Sequence, residues 1–236
     1  MVIKVSVIIP TLNEERYIEN TLTSLKKQNF DKDYEIIVVD SYSTDNTIKI
    51  AERYADKILF DDKFSAGAAR NLGVKNAEAN IIAFTDADTI VDKNWLREIY
   101  NSFKNDPLIV GVSGVSYVYD GTAIDNAIYK LGTSGIIRLM TKLNKPLFPA
   151  FNCAYKKKAF LKTGGYPEGW RQNDDFYLSL RISKLGKVVF NKRMIVYTST
   201  RRQKKSGYSK LIPLYILNLI NLVMKKEPFG TYAPIR

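Results

Sequence analysis

The chain has 236 residues, 45% of them hydrophobic, with 36 Lys+Arg against 24 Asp+Glu (net +12), one cysteine and no histidine. Such a length suits one large domain with a real core, or one domain with an appendage. The missing histidine excludes Ser-His-Asp triads, His-zinc sites and imidazole bases, and the lone Cys153 excludes internal disulfides and CxxC chemistry.

A single thiol suits a reducing cytoplasm, and Cys153 reads as a small buried apolar residue. Any general base must then be Asp, Glu, Lys or Tyr. Charge is uneven: residues 1–118 hold 14 Lys+Arg and 18 Asp+Glu (net −4), whereas 119–236 hold 22 and 6 (net +16). The second half therefore favours an anionic partner, whether nucleic acid, a diphosphate or an acidic membrane surface, over an ordinary solvated basic face. No secretory signal is expected, because the apolar run Val5–Pro10 is too short and ends in proline without a cleavage site.

In chain order, the β-branched run Val5–Ile9 predicts a buried strand, and Glu14–Gln28 a helix with Ile18, Leu22 and Leu25 on one face. Glu35–Val39 predicts a second strand, Thr44–Tyr54 a helix, Lys57–Phe60 a weaker strand, Ala66–Ala77 a small-residue helix and Ile81–Thr85 a fourth strand. Alternation of this kind predicts βαβ units and a parallel, doubly wound α/β sheet. A helix is expected to start near Asn94, followed by a strand over Ile109–Val115. A Gly-broken helical stretch then covers Ile124–Leu143, and Leu147–Phe151 reads as a loop. Asp174 and Asp175 open a helix over Phe176–Leu185, and Met194–Thr198 reads as a strand. The change of charge sign places a boundary near residue 118 without a flexible linker.

Ligands of such sheets bind beyond the carboxyl ends of the strands. Those ends carry Pro10-Thr11-Leu12-Asn13-Glu14, then Asp40-Ser41, then Asp86-Ala87-Asp88. Each acid alone suits a helix N-cap; together they converge on one edge. Asp86 and Asp88, two apart in extended chain, point to the same side and repel. A cation between them, with no histidine or thiolate at hand, would be a hard one, Mg²⁺ or Mn²⁺. Two carboxylates leave coordination positions for water and phosphate oxygens, which suggests a nucleotide diphosphate. The alternative is an Asp-rich turn capping the helix near Asn94. Neither G-x-G-x-x-G nor a P-loop occurs, so the dinucleotide and P-loop readings lack their glycines.

Val5–Glu15, Val38-Val39-Asp40-Ser41 with Thr44-Asp45, Ala66-Gly67-Ala68-Ala69-Arg70-Asn71 and Asp86-Ala87-Asp88 resemble, in order and spacing, family 2 glycosyltransferases of the GT-A fold. The resemblance continues through Phe151–Tyr155, Gly164–Glu168 and Asp174-Asp175 with Leu178 and Arg181, and fades after about residue 200. It implies a Rossmann-like, mostly parallel sheet flanked by helices, and an inverting transfer from a UDP- or GDP-sugar to a hydroxyl. On this resemblance residues 1–118 form the nucleotide-sugar-binding half and 119–205 the acceptor-binding and catalytic half of the same domain. Residues 206–236 are then an amphipathic C-terminal helix and tail.

Carried over residue by residue, Pro10, Thr11, Asn13 and Glu14 with Asp40 hold the base, and Arg70 stands nearby. Asp86 faces the ribose with Ala87 beside it, and Asp88 ligates Mn²⁺ or Mg²⁺ on the diphosphate. Asp175 becomes the catalytic base, with Asp174 as a neighbouring acceptor contact, although a pair of acids also suits a helix N-terminus. Asn152 and Trp170 fall on the acceptor and diphosphate side; Trp170 and Tyr166 read either as sugar-stacking rings or as core. Arg201 and Arg202, otherwise a solvated basic loop, neutralise the leaving diphosphate. Some members of the family use a histidine near here as a metal ligand; this chain has none, so the third protein ligand is unassigned.

The apolar segment Leu211–Met224 is too short to span a bilayer, for which about 20 residues are needed. Flanked by Lys204, Lys205, Lys210, Lys225 and Lys226, it reads as a helix at an anionic membrane interface, with burial against the domain or in a homodimer as the competing readings. The expected partners are a nucleotide-diphospho-sugar donor and a sugar, lipid-linked or protein acceptor, at the inner face of the cell membrane or in the cytoplasm. A nucleotidyltransferase would carry a Gly-rich loop after its first strand, and a dehalogenase-like phosphatase would carry Asp-x-Asp on that strand. A nucleic-acid binder is opposed by the acidic first half.

Overall fold

The computed structural model describes residues 2–167, 170, 173–207, 210, 213 and 217. Strands β1 (Val5–Thr11), β2 (Tyr34–Asp40), β3 (Lys57–Phe60) and β4 (Ile81–Phe84) run parallel in the order β3-β2-β1-β4. The sheet then continues into the second half of the chain. Strands β5 (Thr89–Val91), β6 (Ile109–Val118), β7 (Cys153–Lys156) and β8 (Lys187–Thr198) extend it as β4-β7-β6-β8-β5. β7 is antiparallel to both β4 and β6, β8 is parallel to β6, and β5 is antiparallel to β8. The result is the expected α/β fold with a mixed, mostly parallel sheet.

Helices cover both faces. α1 (Ile18–Lys26), α2 (Thr47–Ala51) and α4 (Trp95–Asn105) bury Ile18, Leu22, Leu25, Trp95 and Ile99 on one face. α3 (Ala66–Asn76) and α8 (Asp174–Ile182) bury Ala69, Val74, Leu178 and Ile182 on the other, with Phe84, Phe148, Tyr155, Phe160 and Tyr166. The small-residue character of α3 has a steric cause. A Cβ at Gly73 would stand 2.5 Å from Ile8 Cγ2, so the helix lies directly on β1. Each large apolar side chain buried in these layers contributes roughly 1.5–3 kcal/mol.

Several elements differ from expectation. α1 starts at Ile18 rather than Glu14, because Thr47 Oγ1 and Asp45 Oδ2 accept the Glu14 and Glu15 N–H groups and hold them in a turn. β8 begins at Lys187, seven residues before the expected Met194, because the short run Val188–Phe190 also belongs to it, separated from Met194 by Asn191, Lys192 and Arg193. It passes β6 with a register shift at Gly114, where a Cβ would lie 1.9 Å from the Met194 carbonyl oxygen. The stretch expected over Ile124–Leu143 is α5 (Ala123–Ala127), a π turn (Ile128–Thr133) and α6 (Ser134–Lys142). Helix α7 (Lys157–Lys162) and strands β5 and β7 were not foreseen, and Arg201–Ser206 is a helix, α9, rather than a loop. Cys153 is buried, and burial pushes its thiol pKa up. Most of Leu211–Met224 lies outside the described residues.

Candidate functional site

The carboxyl ends of β1 and β2 are laced into one polar rim. Asp40 is fully buried. Its Oδ2 accepts from Thr11 Oγ1 (2.8 Å) and Ser43 Oγ (2.6 Å), and its Oδ1 from the Ser43 N–H (2.6 Å). Asn13 occupies the left-handed region (φ 56°), tolerable for a short amide that bonds locally. Its N–H donates to Ser43 Oγ and its Oδ1 accepts from the Thr44 N–H, both at 2.8 Å. Asp40 thus shapes the loop that follows β2 rather than presenting a free carboxylate. Pro10, half-buried, lies at the same edge opposite Val39.

Asp86 and Asp88 follow β4, and each has acquired a guanidinium. Arg70, buried in α3, donates to Asp86 Oδ1 at 2.6 Å and lies 5.5 Å from the Tyr166 ring centroid. Arg201, at the start of α9, places Nε 2.7 Å from Asp88 Oδ2 and grips both Glu14 oxygens at 2.7 and 2.6 Å. It also stands over the Tyr17 ring at 4.8 Å. The Ala87 carbonyl accepts from Thr21 Oγ1 (2.7 Å), tying the turn to α1.

Burial raises the Asp88 pKa; Arg201 pulls it down and the Asp86 charge pushes it up again. Burial likewise carries Glu14 up to about 7 against the pull of Arg201. Arg201 itself is shifted upward, its burial outweighed by Glu14 and Asp88. The two-point fork is the geometry of an ionised pair, so the charged form of Glu14 is the one that this contact holds.

The acidic pair opens α8 after Asn173, another left-handed residue (φ 54°). Asp175 Oδ2 accepts the Ala150 N–H (3.1 Å) and Oδ1 the Phe176 N–H (2.8 Å). Burial, then the neighbouring Asp174 charge, raises Asp175 to about 7. Asp174 is also raised by burial, with Arg70 opposing. A Cβ on Gly67 would meet Asp174 Oδ2 at 2.8 Å, so this carboxylate rests against the start of α3. Arg70 therefore connects Asp86 electrostatically to the Asp174–Asp175 pair.

One expected residue is placed differently. Asn152 is fully buried with its amide committed inward: Oδ1 accepts from Trp95 Nε1 (3.0 Å), and Nδ2 donates to the Val115 (3.0 Å) and Met194 (3.4 Å) carbonyls. Its side chain pins β6, β8 and α4 together, and does not face the site. Tyr166 is core, 1% exposed. Trp170 packs on Tyr177, ring centroids 4.9 Å apart. Arg202 lies in α9 and lowers the Asp88 pKa through its charge.

Sequence reading missed Tyr17 and Asp120. Asp120 accepts from Ser199 Oγ (2.7 Å), the Thr200 N–H (2.7 Å) and Thr200 Oγ1 (2.9 Å), fixing the residues that launch Arg201. The signal available was Ser199-Thr200 immediately before a basic run, a pattern that seeks a carboxylate without naming which one.

Among the described residues no three His, Cys, Asp or Glu side chains form a metal-binding group. The oxygen-only chemistry at Asp88 fits Mg²⁺ or Mn²⁺ where most remaining ligands come from phosphate and water. Arg201, on Asp88 Oδ2, is the group such an ion would have to share the carboxylate with.

The strand-end acids stand at the carboxyl edge of the parallel strands, where α/β sheets bind their ligands. The model for "Glycosyl transferase family 2" matches residues 6–164, and the chain belongs to that family. Over 190 residues it is 30% identical to the poly(ribitol-phosphate) beta-N-acetylglucosaminyltransferase TarS of Staphylococcus aureus, covering 75% of this chain and 32% of that protein. It is 28% identical to the O-antigen chain rhamnosyltransferase RfbN of Salmonella typhimurium, over 78% of this chain and 62% of that one. The chain thus spans about a third of TarS and under two thirds of RfbN.

Among solved structures, the mannosyltransferase PcManGT of Pyrobaculum calidifontis, in complex with GDP-Man and Mn²⁺, superposes with a TM-score of 0.74 at 21% identity. That match covers 98% of this chain and 66% of that one. S. aureus TarS 1–349 with UDP-GlcNAc gives 0.72 at 22% identity, covering 97% and 68%. At these identities the structural likeness establishes the fold.

Proposed function

We propose that the chain transfers a sugar from a UDP- or GDP-sugar to a hydroxyl acceptor with inversion at the anomeric carbon, and that Asp175 is the general base. The observation that carries this reading is the placement of Asp175 in the first turn of α8 beside Asp174, its oxygens held by the Ala150 and Phe176 N–H groups and its carboxyl raised to about 7 by burial and the neighbouring charge. Arg70 links it through the Asp174 pair to the strand-end acid Asp86. A carboxyl poised near neutrality is matched to proton abstraction at working pH.

In the proposed step the acceptor hydroxyl gives its proton to Asp175 as its oxygen bonds to the anomeric carbon. The bond from that carbon to the diphosphate oxygen breaks, and the diphosphate leaves with the electron pair. The rim of Thr11, Asn13 and the loop fixed by Asp40 receives the base, and Asp86, held by Arg70, receives the ribose. Arg201 and Arg202 supply positive charge beside Asp88, which favours the developing negative charge of the leaving diphosphate. A divalent ion at Asp88, when bound, supplies further neutralisation of the diphosphate.

The acceptor is a glycan hydroxyl, lipid-linked or polymeric. The test is a pair of variants: Asp175→Asn is expected to keep donor binding and lose transfer, and Asp88→Ala to lose metal-dependent donor binding. Unimpaired transfer by Asp175→Asn would overturn the base assignment.

A further inference from the structure

We propose that the outward face of α6, with the turn before it, docks on an anionic phospholipid surface. α6 buries Ser134 and Ile137 against the domain. Its far side and the approach to it carry Ile124, Leu131, Ile136, Leu139 and Leu143, each between 53% and 74% exposed. These are large aliphatic side chains repeated along one stretch rather than scattered singly, the pattern that marks an interaction surface. Lys130, Arg138, Lys142 and Lys145 are exposed beside them. Residues 126–167 contain eight Lys+Arg and no Asp or Glu.

Charge decides the occupant. The remainder of this chain after α9 is itself basic: residues 207–236 carry four Lys+Arg against one Glu. Laying that segment on α6 would bring Lys210, Lys225 and Lys226, at the ends of its uncharged apolar run, beside the cations of α6, and the same face of a second copy would bring all of them together. Nucleic acid satisfies the cations but offers no apolar layer for five aliphatic side chains. An anionic bilayer supplies both, with headgroup phosphates for the lysines and acyl chains for the leucines, which is the arrangement of an interfacial amphipathic helix. No helix among the described residues is long and apolar enough to cross a membrane, so the contact is peripheral.

The face is also coupled to the site. Gln203 Nε2 of α9 donates to the Tyr129 hydroxyl at 2.7 Å, joining the π turn before α6 to the helix that holds Arg201. Docking there would bring α9, the helix that opens with Arg201, close to the lipid surface. The proposal stands apart from the sugar-transfer reading, which its failure would leave untouched.

Co-sedimentation of the full chain with vesicles of phosphatidylcholine alone, and of phosphatidylcholine mixed equally with phosphatidylglycerol, tests it. Binding is expected to the mixed vesicles only, weakened by salt, and reduced about tenfold or more by Leu139→Glu with Leu143→Glu. Absence of binding by the unaltered chain overturns it, as does equal binding by the variant, which would place the contact elsewhere. A lowered unfolding temperature in the variant would mean that the chain's own C-terminal segment covers the face. A dimer in light scattering that the variant splits would mean that a second copy does.

Discussion

Arg201 grips Glu14 across 187 positions of sequence, its two terminal nitrogens 2.7 and 2.6 Å from the two carboxylate oxygens, while its Nε reaches Asp88 at 2.7 Å. One guanidinium thereby joins the loop after the first strand, the acid after the fourth and the helix after the last. The two halves of the chain, net −4 and +16, meet in this contact, and the asymmetry of charge visible in the sequence acquires a structural use.

Replacing Arg201 by alanine strands Glu14 and Asp88 as neighbouring buried acids. Breaking one partner of a buried pair costs several kcal/mol; with Arg201 21% exposed, about 2 kcal/mol is expected here. Urea unfolding should register that loss. Arg201→Lys keeps the charge but not the fork, and should recover only part of it. Donor binding by calorimetry should weaken in both variants.

The pH dependence has a definite sign. Asp175 is raised to about 7 in the folded chain, against about 3.9 unfolded. Between about pH 4 and 7 the unfolded chain has released this proton and the folded chain retains it, so the group subtracts stability as pH rises through that window. Asp174, raised by burial, acts in the same direction. Asp175→Asn should therefore stabilise the protein at pH 8 by on the order of 2 kcal/mol, have little effect at pH 4, and reduce without abolishing the slope. Thermal unfolding across pH measures this. In the unaltered chain transfer should rise with pH to a plateau above about 7, the limb of a base that must be ionised.

Much of this was legible because the strands that end at this acidic edge, β1 and β2, are almost wholly buried. Val5–Ile9 and Ile36–Val39 are β-branched runs with no solvent-facing positions, and their ends, Thr11 and Asp40, follow at once. The second half was harder for physical reasons. β8 holds two short apolar runs, Val188–Phe190 and Met194–Val196, split by Asn191 and the exposed Lys192 and Arg193, so the sequence shows a strand only in the second. β7 has four residues, inserted antiparallel between β4 and β6, too short to show a period. The sequence could place Arg201 among basic residues but not pair it with Glu14, since nothing local encodes a partner so distant. Asn152 illustrates the converse: a polar residue amid a motif looks outward until the fold turns it in.

Asp88 should govern the metal. Asp88→Asn preserves shape and loses the carboxylate, so the gain in melting temperature from Mn²⁺ together with a UDP- or GDP-sugar should disappear, while the sugar nucleotide alone keeps whatever shift it gives. Loss of a metal ligand is expected to cost at least the tenfold to hundredfold in metal affinity typical of lesser changes around such sites. A variant that retains the full Mn²⁺-dependent shift would remove Asp88 from the metal's coordination.

Asn152→Ala tests whether this residue is structural. Its amide accepts from Trp95 Nε1 and donates to the carbonyls of Val115 and Met194, all inside the sheet–helix layer. Truncation leaves an indole N–H and two carbonyls unpaired in a volume without solvent, at about 1–3 kcal/mol for an unsatisfied group. A loss of about 3 kcal/mol in urea unfolding is expected. Donor affinity, measured well below the transition, should stay within about twofold, since no link of the Asp86–Arg70–Asp174 chain passes through Asn152 and distant sites act nearly independently. A variant of full stability that binds donor poorly would instead return Asn152 to the ligand-facing role its place in the motif implied.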